Sequence, residues 1–228
     1  MIAIVRILNY LGYRCLGLAE KFNNSTYPAE SKRQYLKEDP NEMKVVMFPS
    51  LNPASLVVDV GGYTGDWAQR IYNRYSCHID IYEPHPVLSS RAKANFEPNK
   101  KVRVFEVGLS DINEMTELFG NDRGASLVKD RLQESHIVNI FKASEIFNRR
   151  YESGIDLLKL NVEGAEYKIL PDLIENYDMR KINDILIQFH RNCPDYNSQR
   201  DKIRAGLSRT HSPVFNYDYI FEHWKLEE

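Results

Sequence analysis

The chain lacks several features that would assign it to familiar classes of protein. Its three cysteines, Cys15, Cys77 and Cys193, are too few and too far apart for a disulfide framework or a zinc-spaced pair. The net charge of −2, from 30 basic and 32 acidic residues, gives no general attraction to nucleic-acid phosphates. No uninterrupted apolar run approaches the ~20 residues of a membrane span. These absences favour a reducing, cytoplasmic location and disfavour a nucleic-acid substrate.

The length and composition fit one globular domain with an extension. A chain of 228 residues, of which 43% are hydrophobic and 27% charged, is long enough for one well-buried α/β domain and short for two. We therefore predict an N-terminal extension over residues 1–41 and one domain over residues 42–228. Residues 1–22 are apolar with polar interruptions, which favours an amphipathic helix. This helix could pack on its own domain, contact a partner subunit in a homo-oligomer or lie on a membrane surface, and the sequence leaves all three alternatives open.

Beyond residue 41, short β-rich segments alternate with helical ones, which is typical of a mostly parallel, twisted α/β sheet with helices on both faces. The predicted strands are Ser55 to Val60, His78 to Glu83, Val102 to Val107, Ile155 to Val162 and Asp184 to His190. The predicted helices are Asp66 to Tyr75, Pro86 to Phe96, Ala165 to Tyr177 and Gln199 to Arg209. Shorter strands are predicted at Glu114 to Phe119, Ala125 to Val128 and Ile137 to Phe141. The polar stretch from Asn23 to Asn41 is predicted to be irregular, and an antiparallel edge is predicted at Pro213 to Leu226.

The most informative segment is an apolar, β-branched strand that ends in a glycine-rich turn at residues 56–65. Gly61, Gly62 and Gly65 permit positive φ angles and a close backbone approach. They lack the spacing of a dinucleotide fingerprint, with glycines at n, n+2 and n+5, so pyrophosphate binding is not favoured. Asp59 would repel a phosphate at this turn and suits a ligand that carries a positive charge.

S-adenosylmethionine is a nucleoside cofactor with such a charge, since it carries a sulfonium and an ammonium group. Glu83 closes the second predicted strand 24 positions after Asp59, about the separation at which such a unit presents an acid to a ribose. The alternative is an ordinary turn from strand to helix in which Asp59 is a local cap.

Ligands of open α/β sheets bind at the carboxyl ends of the strands, and several informative residues follow the predicted strands. Leu109 and Ser110 follow the third strand, where they can flank an adenine. Lys159, Asn161 and Glu163 alternate along the fourth strand. Burying each of them unpaired would cost on the order of a few kcal/mol, so they line a cleft or form an internal network.

Two further residues at this edge carry possible chemistry. Glu166 falls in the first turn of a predicted helix, where the macrodipole favours an anion, and a plain helix-start residue is the alternative. His190 ends the fifth strand and can act as a base on an attacking hydroxyl, an effect of roughly 100- to 10,000-fold. A histidine that only bonds to the neighbouring loop is the alternative there.

Three sequence blocks resemble the FkbM-type S-adenosylmethionine-dependent methyltransferases, a class I group with a Rossmann-like fold. They are Val-Asp-Val-Gly-Gly-Tyr-Thr-Gly at 58–65, Ile-Tyr-Glu-Pro-His-Pro at 81–86 and Leu-Leu-Lys-Leu-Asn-Val-Glu-Gly-Ala-Glu at 157–166. The resemblance implies methyl transfer, usually to a hydroxyl of a sugar or secondary metabolite and often in glycan biosynthesis. Gly62-Tyr63 replaces the usual Ala-Asn, and Asn161 stands where the family generally has an aspartate that might act as base or metal ligand.

The sequence therefore predicts an O-methyltransferase that uses S-adenosylmethionine, with no metal site. The predicted cofactor-binding residues are Asp59, Gly61, Gly62, Gly65, Glu83, Leu109 and Ser110. The predicted acceptor contacts are Ser126, Asn161 and Glu166. The predicted catalytic residues are His190, Glu163 and Lys159, of which Lys159 would bind an anionic group of a small-molecule or glycan acceptor. A non-catalytic, cofactor-binding scaffold and a methyltransferase that acts on protein or nucleic acid stay open as alternatives.

Overall fold

The structure is a computed structural model that describes residues 28–119 and 135–227 of the chain. The predicted N-terminal helix at residues 1–22, the predicted strand Ala125 to Val128 and the predicted acceptor contact Ser126 lie outside the described residues. The helices are α1 (Ala29–Glu38), α2 (Asp66–Tyr75), α3 (Pro86–Phe96), α4 (Ala143–Arg150), α5 (Glu166–Asn176) and α6 (Tyr196–Leu207). The strands are β1 (Leu56–Val60), β2 (His78–Tyr82), β3 (Val102–Phe105), β4 (Gly108–Ser110), β5 (Glu114–Phe119), β6 (Ser135–Lys142), β7 (Ile155–Leu160), β8 (Ile182–Ile187), β9 (His211–Tyr217) and β10 (Phe221–Leu226).

Seven of the described strands form one sheet in the order β3-β2-β1-β7-β8-β10-β9. The first five of these strands are parallel, and β10 runs antiparallel to both β8 and β9. This confirms the predicted mostly parallel α/β sheet with an antiparallel C-terminal edge. Chain order reverses between β1 and β7, and ligands bind at such a switch point in open α/β sheets.

The centre of the sheet is buried on both faces. Val57 and Val58 of β1, like Leu157 and Leu158 of β7, have no exposed surface. Because successive side chains of a strand point to opposite faces, such continuous burial requires cover on both sides of the sheet. The continuous apolar runs in the sequence have this physical origin.

The remaining described strands form a smaller sheet in the order β4-β6-β5. Strand β4 is parallel to β6, and β5 is antiparallel to it. Leu118, Val138 and Ile140 form its own small apolar cluster. No described helix combines the length and the apolar character that crossing a bilayer requires.

The predicted strands over Ile155 to Val162 and Asp184 to His190 extend too far. In the structure β7 ends at Leu160 and β8 at Ile187, so the polar residues that follow lie in loops. The backbone explains the first of these differences, because Glu163 and Gly164 have φ angles of 52° and 108°. A β-strand requires negative φ, so it cannot include these two residues.

The prediction of irregular structure from Asn23 to Asn41 is wrong for Ala29–Glu38, which form α1. Tyr35 of this helix is 3% exposed and packs edge to face on Tyr217 of β9. Glu38 also accepts a hydrogen bond from the hydroxyl of Tyr217. Tertiary contacts therefore stabilise a helix whose polar sequence gave little local signal. The predicted division between residues 41 and 42 stays a prediction.

Candidate functional site

The glycine-rich turn after β1 is shaped by close backbone contacts. Gly61 and Gly65 have φ angles of 80° and 86°, in the left-handed region that favours glycine. A Cβ atom on Gly61 would lie 2.0 Å from the carbonyl oxygen of Asn161, and one on Gly62 would lie 2.1 Å from Cγ2 of Ile81. The two central glycines thus allow the turn to lie close to the ends of β7 and β2.

Asp59 and Lys159 form a buried ion pair beneath this turn. They are register partners on β1 and β7, and they are 0% and 4% exposed. The Lys159 Nζ atom donates to Asp59 Oδ1 at 2.8 Å and to the Gly61 carbonyl oxygen at 2.9 Å. It also lies 5.6 Å from the ring centroid of Trp67. The Lys159 side chain therefore bonds to the strand and turn residues Asp59 and Gly61. Its predicted contact with an anionic acceptor group stays a prediction.

Two buried oxygen atoms beside this ion pair have no hydrogen-bond partner among the residues that the structure describes. They are Oδ2 of Asp59 and Oδ1 of Asn161. Leaving a buried acceptor unpaired costs about 1–3 kcal/mol, and more when it is charged. A ligand that brings positively charged N–H donors suits such oxygens, so the residues present fit the ammonium group of S-adenosylmethionine.

Glu83 follows β2 and joins the turn through its carboxylate. Its Oε2 accepts from the Tyr63 backbone N–H at 2.8 Å, and its Oε1 accepts from the His85 backbone N–H at 2.9 Å. Burial raises the pKa of Glu83 to about 7, although these two hydrogen bonds oppose the shift. Each carboxylate oxygen keeps a further lone pair, which suits the predicted contact with ribose hydroxyls.

Leu109 and Ser110 lie in β4 of the smaller sheet, and each is 4% exposed. Ser110 Oγ donates to Asp111 Oδ1 at 2.9 Å. A Cβ atom on Gly108 would lie 3.4 Å from Cβ of Pro84, so β4 begins beside the residue that follows Glu83. The predicted adenine contacts therefore begin near the predicted ribose contact.

The loop after β7 is held by the loop after β8. Asn192 Nδ2 donates to the Glu163 carbonyl oxygen at 2.6 Å. A Cβ atom on Gly164 would lie 2.6 Å from Asn192 Oδ1, so the close approach of the two loops requires a glycine there. Glu163 is a non-glycine residue at positive φ, a conformation that costs on the order of 1 kcal/mol and is concentrated at functional sites.

Glu166, His190 and Glu163 form a second buried group at the same edge. Glu166 Oε1 accepts from the His190 backbone N–H at 2.7 Å and lies 3.1 Å from His190 Nδ1. The other ring nitrogen of His190, Nε2, lies 3.5 Å from Glu163 Oε1. Burial alone would lower the pKa of His190, but the two carboxylates outweigh it and raise the pKa to about 10. The imidazole is therefore protonated at neutral pH.

Within the described residues, the structure brings the predicted site residues into two adjoining groups. Asp59, the glycine turn, Lys159 and Asn161 form one, and Glu163, Glu166 and His190 form the other. Glu166 is fully buried and bonded to protein groups, so the predicted contact of Glu166 with an acceptor stays untested.

Sequence reasoning missed three residues that support the site. Tyr167 donates its hydroxyl proton to the His190 carbonyl oxygen at 2.7 Å. Trp67 lies over Lys159, and Asn192 holds the loop of Glu163. Helices α2 and α5 begin at Asp66 and Glu166, and Trp67 and Tyr167 are their second residues. This position at the start of a helix was the only sequence signal that these two side chains lie near the site.

Comparisons with known proteins agree with this architecture. The Methyltransferase FkbM domain matches residues 59–209, well over half of the chain. The 2-O-methyltransferase NoeI of Sinorhizobium fredii (strain NBRC 101917 / NGR234) is 25% identical over 138 residues, which are 52% of this chain and 57% of that protein. The chain therefore matches little more than half the length of this curated relative.

Several solved structures resemble the fold. A putative caffeoyl-CoA O-methyltransferase from Staphylococcus aureus is 12% identical with a TM-score of 0.49, over 96% of this chain and 100% of that one. The Methanococcus jannaschii fibrillarin pre-rRNA processing protein is 9% identical with a TM-score of 0.49, over 82% and 75%. SMU.1697c, a putative methyltransferase from Streptococcus mutans in complex with SAH, is 7% identical with a TM-score of 0.45, over 78% and 91%. Nothing about a substrate follows from these likenesses.

The family match includes the glycine turn, Glu83 and both groups of site residues. Residues 59–209 are therefore a methyltransferase domain of the FkbM type, for which S-adenosylmethionine is the implied methyl donor. The chain belongs to the FkbM methyltransferase family.

Proposed function

We propose that this protein transfers a methyl group from S-adenosylmethionine to a hydroxyl of a sugar, a glycan or a secondary metabolite. The observation that carries the proposal is that two buried oxygens near the glycine turn, Oδ2 of Asp59 and Oδ1 of Asn161, have no hydrogen-bond partner in the described part of the chain. Such acceptors suit a donor that carries positively charged N–H groups. The relative named as a 2-O-methyltransferase supports oxygen as the acceptor atom.

The residues of the first group would hold the donor. Asp59 Oδ2 and Asn161 Oδ1 would accept from its ammonium group, and the turn at Gly61, Gly62 and Gly65 would allow a close approach of the backbone. Glu83 would bind the ribose hydroxyls, while Leu109 and Ser110 would flank the adenine. When bound, the donor supplies an electrophilic methyl group on a sulfonium sulfur.

The residues of the second group would face the acceptor. Glu163 has 53% of its side chain exposed and lies beside the buried His190 ring, so these two residues are the candidates to accept the hydroxyl proton. Ser126 would contribute to the acceptor pocket, and Glu166, whose two oxygens bond to the backbone of Gly164 and His190, would hold the two loops beside it. Holding the acceptor hydroxyl in line with the methyl group would by itself supply a large part of the rate acceleration, because positioning removes much of the entropic barrier.

Isothermal titration calorimetry tests the donor assignment. We expect S-adenosylmethionine to bind the native protein and to bind Asp59→Asn and Glu83→Ala at least tenfold more weakly. The matched controls are Asp201→Asn and Glu175→Ala, which remove exposed carboxylates from α6 and α5. Native protein that binds no donor, or site variants that bind it as well as the controls, would remove the assignment.

Methyl transfer is tested with a donor whose methyl group is tritiated. The acceptor probes are 4-nitrophenyl glycosides of hexoses, deoxyhexoses and N-acetylhexosamines, which carry free hydroxyls. We expect acid- and base-stable incorporation into at least one glycoside, as an ether bond gives. Donor binding without transfer to any of them would favour a binding scaffold, and incorporation only into added RNA or protein would favour those acceptors.

A further inference from the structure

Glu163 and His190 differ in a property that separates their chemical roles. The side chain of Glu163 is 53% exposed, whereas that of His190 is 0% exposed. An acceptor hydroxyl can therefore approach the Glu163 side chain directly from solvent. It can reach the His190 ring only after the residues that cover the ring have moved.

We propose that Glu163 accepts the proton of the acceptor hydroxyl, and that His190, held by Glu166, is a positioning residue for Glu163. This inference rests on the proposed methyl transfer to oxygen. In that step the hydroxyl oxygen forms a bond to the methyl carbon while the carbon–sulfur bond breaks, and the sulfur keeps the electron pair. The hydroxyl proton passes to a Glu163 oxygen, and water then removes it, so the carboxylate is restored.

The hydrogen bonds of Glu166 fix His190 in the orientation that this role needs. One oxygen of Glu166 accepts from both the backbone N–H and the Nδ1 of His190, at 2.7 Å and 3.1 Å. The other oxygen accepts from the Gly164 backbone N–H at 2.8 Å. Glu166 thus joins the loop that carries Glu163 to the loop that carries His190.

The remaining ring nitrogen of His190 faces Glu163. Its Nε2 makes no hydrogen bond within the described part of the chain and lies 3.5 Å from Glu163 Oε1. A charge-assisted hydrogen bond is shorter than this by less than 1 Å. A small movement of the exposed Glu163 side chain would therefore form the hydrogen bond between Nε2 and Oε1. A proton on Nε2 would then hold the carboxylate in one orientation.

The charge state of this group agrees with the assignment. The titratable groups that face His190 are Glu163 in the loop after β7, Glu166 of α5 and Tyr167, whose hydroxyl bonds to the His190 carbonyl oxygen. With its pKa raised to about 10, the His190 ring is protonated at neutral pH and has no lone pair to accept a proton. The Glu163 side chain is partly covered, which opposes its ionisation, but the charge of His190 outweighs this and lowers the pKa of Glu163.

The charge of His190 can be measured without any acceptor. Ring ¹⁵N chemical shifts of the histidines, recorded from pH 5 to 11, report the protonation of each imidazole. We expect His190 to be an imidazolium at pH 7, and both Glu163→Gln and Glu166→Gln to lower its pKa. His211 is the internal control: burial lowers its pKa, so it should be neutral at pH 7 and unaffected by either variant.

The proton acceptor is identified by the pH dependence of kcat with the glycoside that is methylated in the acceptor panel. If Glu163 is the acceptor, kcat is flat between pH 6 and 8.5. A neutral His190 as acceptor would instead make kcat rise about tenfold per pH unit toward pH 10. Glu163→Gln should lower kcat at least 100-fold, with donor affinity within threefold of native and Glu175→Gln as the matched control.

Glu166→Gln tests the positioning role, because it keeps the side-chain shape and removes the charge. We expect about a tenfold loss of kcat together with the lowered pKa of His190, and no change in the KM for the donor beyond threefold. A purely structural role would not move the His190 titration.

The proposal is overturned if His190 is neutral at pH 7, if kcat rises tenfold per pH unit, or if Glu163→Gln keeps more than a third of native kcat. Normal methyl transfer with any of these results leaves the proposed function intact and removes only the roles given to Glu163 and His190. Failure of all acceptors to be methylated removes the proposed function and the proton-acceptor role with it.

Discussion

Replacing Lys159 by methionine should destabilise the protein through the charge that it leaves behind. Lys159 and Asp59 are 4% and 0% exposed, and the Nζ atom is 2.8 Å from Asp59 Oδ1. Lys159→Met keeps most of the side-chain volume but leaves the Asp59 carboxylate buried and unpaired. Breaking a buried ion pair in this way costs about 3–5 kcal/mol, which is a large part of the 5–15 kcal/mol of a typical domain.

The double variant distinguishes the ion pair from simple loss of packing. Asp59→Asn with Lys159→Met removes both charges, so the penalty of an unpaired buried carboxylate disappears. We expect the double variant to be more stable than Lys159→Met by about 2 kcal/mol or more, because most of the roughly 3–5 kcal/mol penalty comes from the buried carboxylate that is left unpaired. The hydrogen bond from Lys159 to the Gly61 carbonyl oxygen remains lost in both variants.

Equilibrium unfolding in urea, followed by circular dichroism and tryptophan fluorescence, measures both changes. Lys202→Met, which removes an exposed lysine from α6, serves as the control and should change the free energy of unfolding by less than about 0.5 kcal/mol. A loss below about 1 kcal/mol in Lys159→Met, or a double variant no more stable than the single one, would refute the buried-pair reasoning.

Three further variants test other parts of the structure. Gly61→Ala should lower the melting temperature and donor affinity, as calorimetry can show, because it places a Cβ 2.0 Å from the carbonyl oxygen of Asn161 at a φ angle of 80°. Glu83→Gln should lower stability less at pH 8 than at pH 4. Because the folded state raises the pKa of Glu83 from 4.5 to about 7, Glu83 lowers native stability by about 2–4 kcal/mol as the pH rises through that window. Urea midpoints of the native protein and Glu83→Gln, measured from pH 4 to 8, would contradict this if both changed with pH by the same amount. Tyr35→Ala should lower the free energy of unfolding in urea by about 3 kcal/mol if α1 is part of the folded domain. A loss below about 1 kcal/mol would mean that α1 does not stabilise the domain.

Local signals in the sequence were sufficient for the elements around the donor site. Helices α2 and α3 have the predicted boundaries, Asp66 to Tyr75 and Pro86 to Phe96, because a glycine turn and a proline mark their first turns. The buried strand β1 and the turn after it follow from a β-branched run and three glycines. Each of these features is encoded within about ten residues of sequence.

The contacts between loops could not be predicted in this way. The bonds from His190 to Glu166 join residues 24 positions apart, and they exist only because parallel β7 and β8 place their carboxyl ends side by side. The sequence predicted that Lys159, Asn161 and Glu163 line a cleft or form an internal network. The structure divides them, since Lys159 pairs inward with Asp59 while Glu163 is exposed. This difference follows from where β7 ends, which periodicity did not determine.

The charges at the proposed site would favour the donor over the product that it becomes. Asp59, Glu163 and Glu166 oppose only two cations, Lys159 and His190, so these five groups carry a net negative charge before Glu83 is counted. S-adenosylmethionine loses its sulfonium charge when the methyl group leaves, and S-adenosylhomocysteine therefore gains less from a negative site. One unit of charge about 10 Å away, at an effective dielectric constant near 20, amounts to an upper estimate of about 1–2 kcal/mol. The carboxylates that suit the donor would thus also assist release of the product.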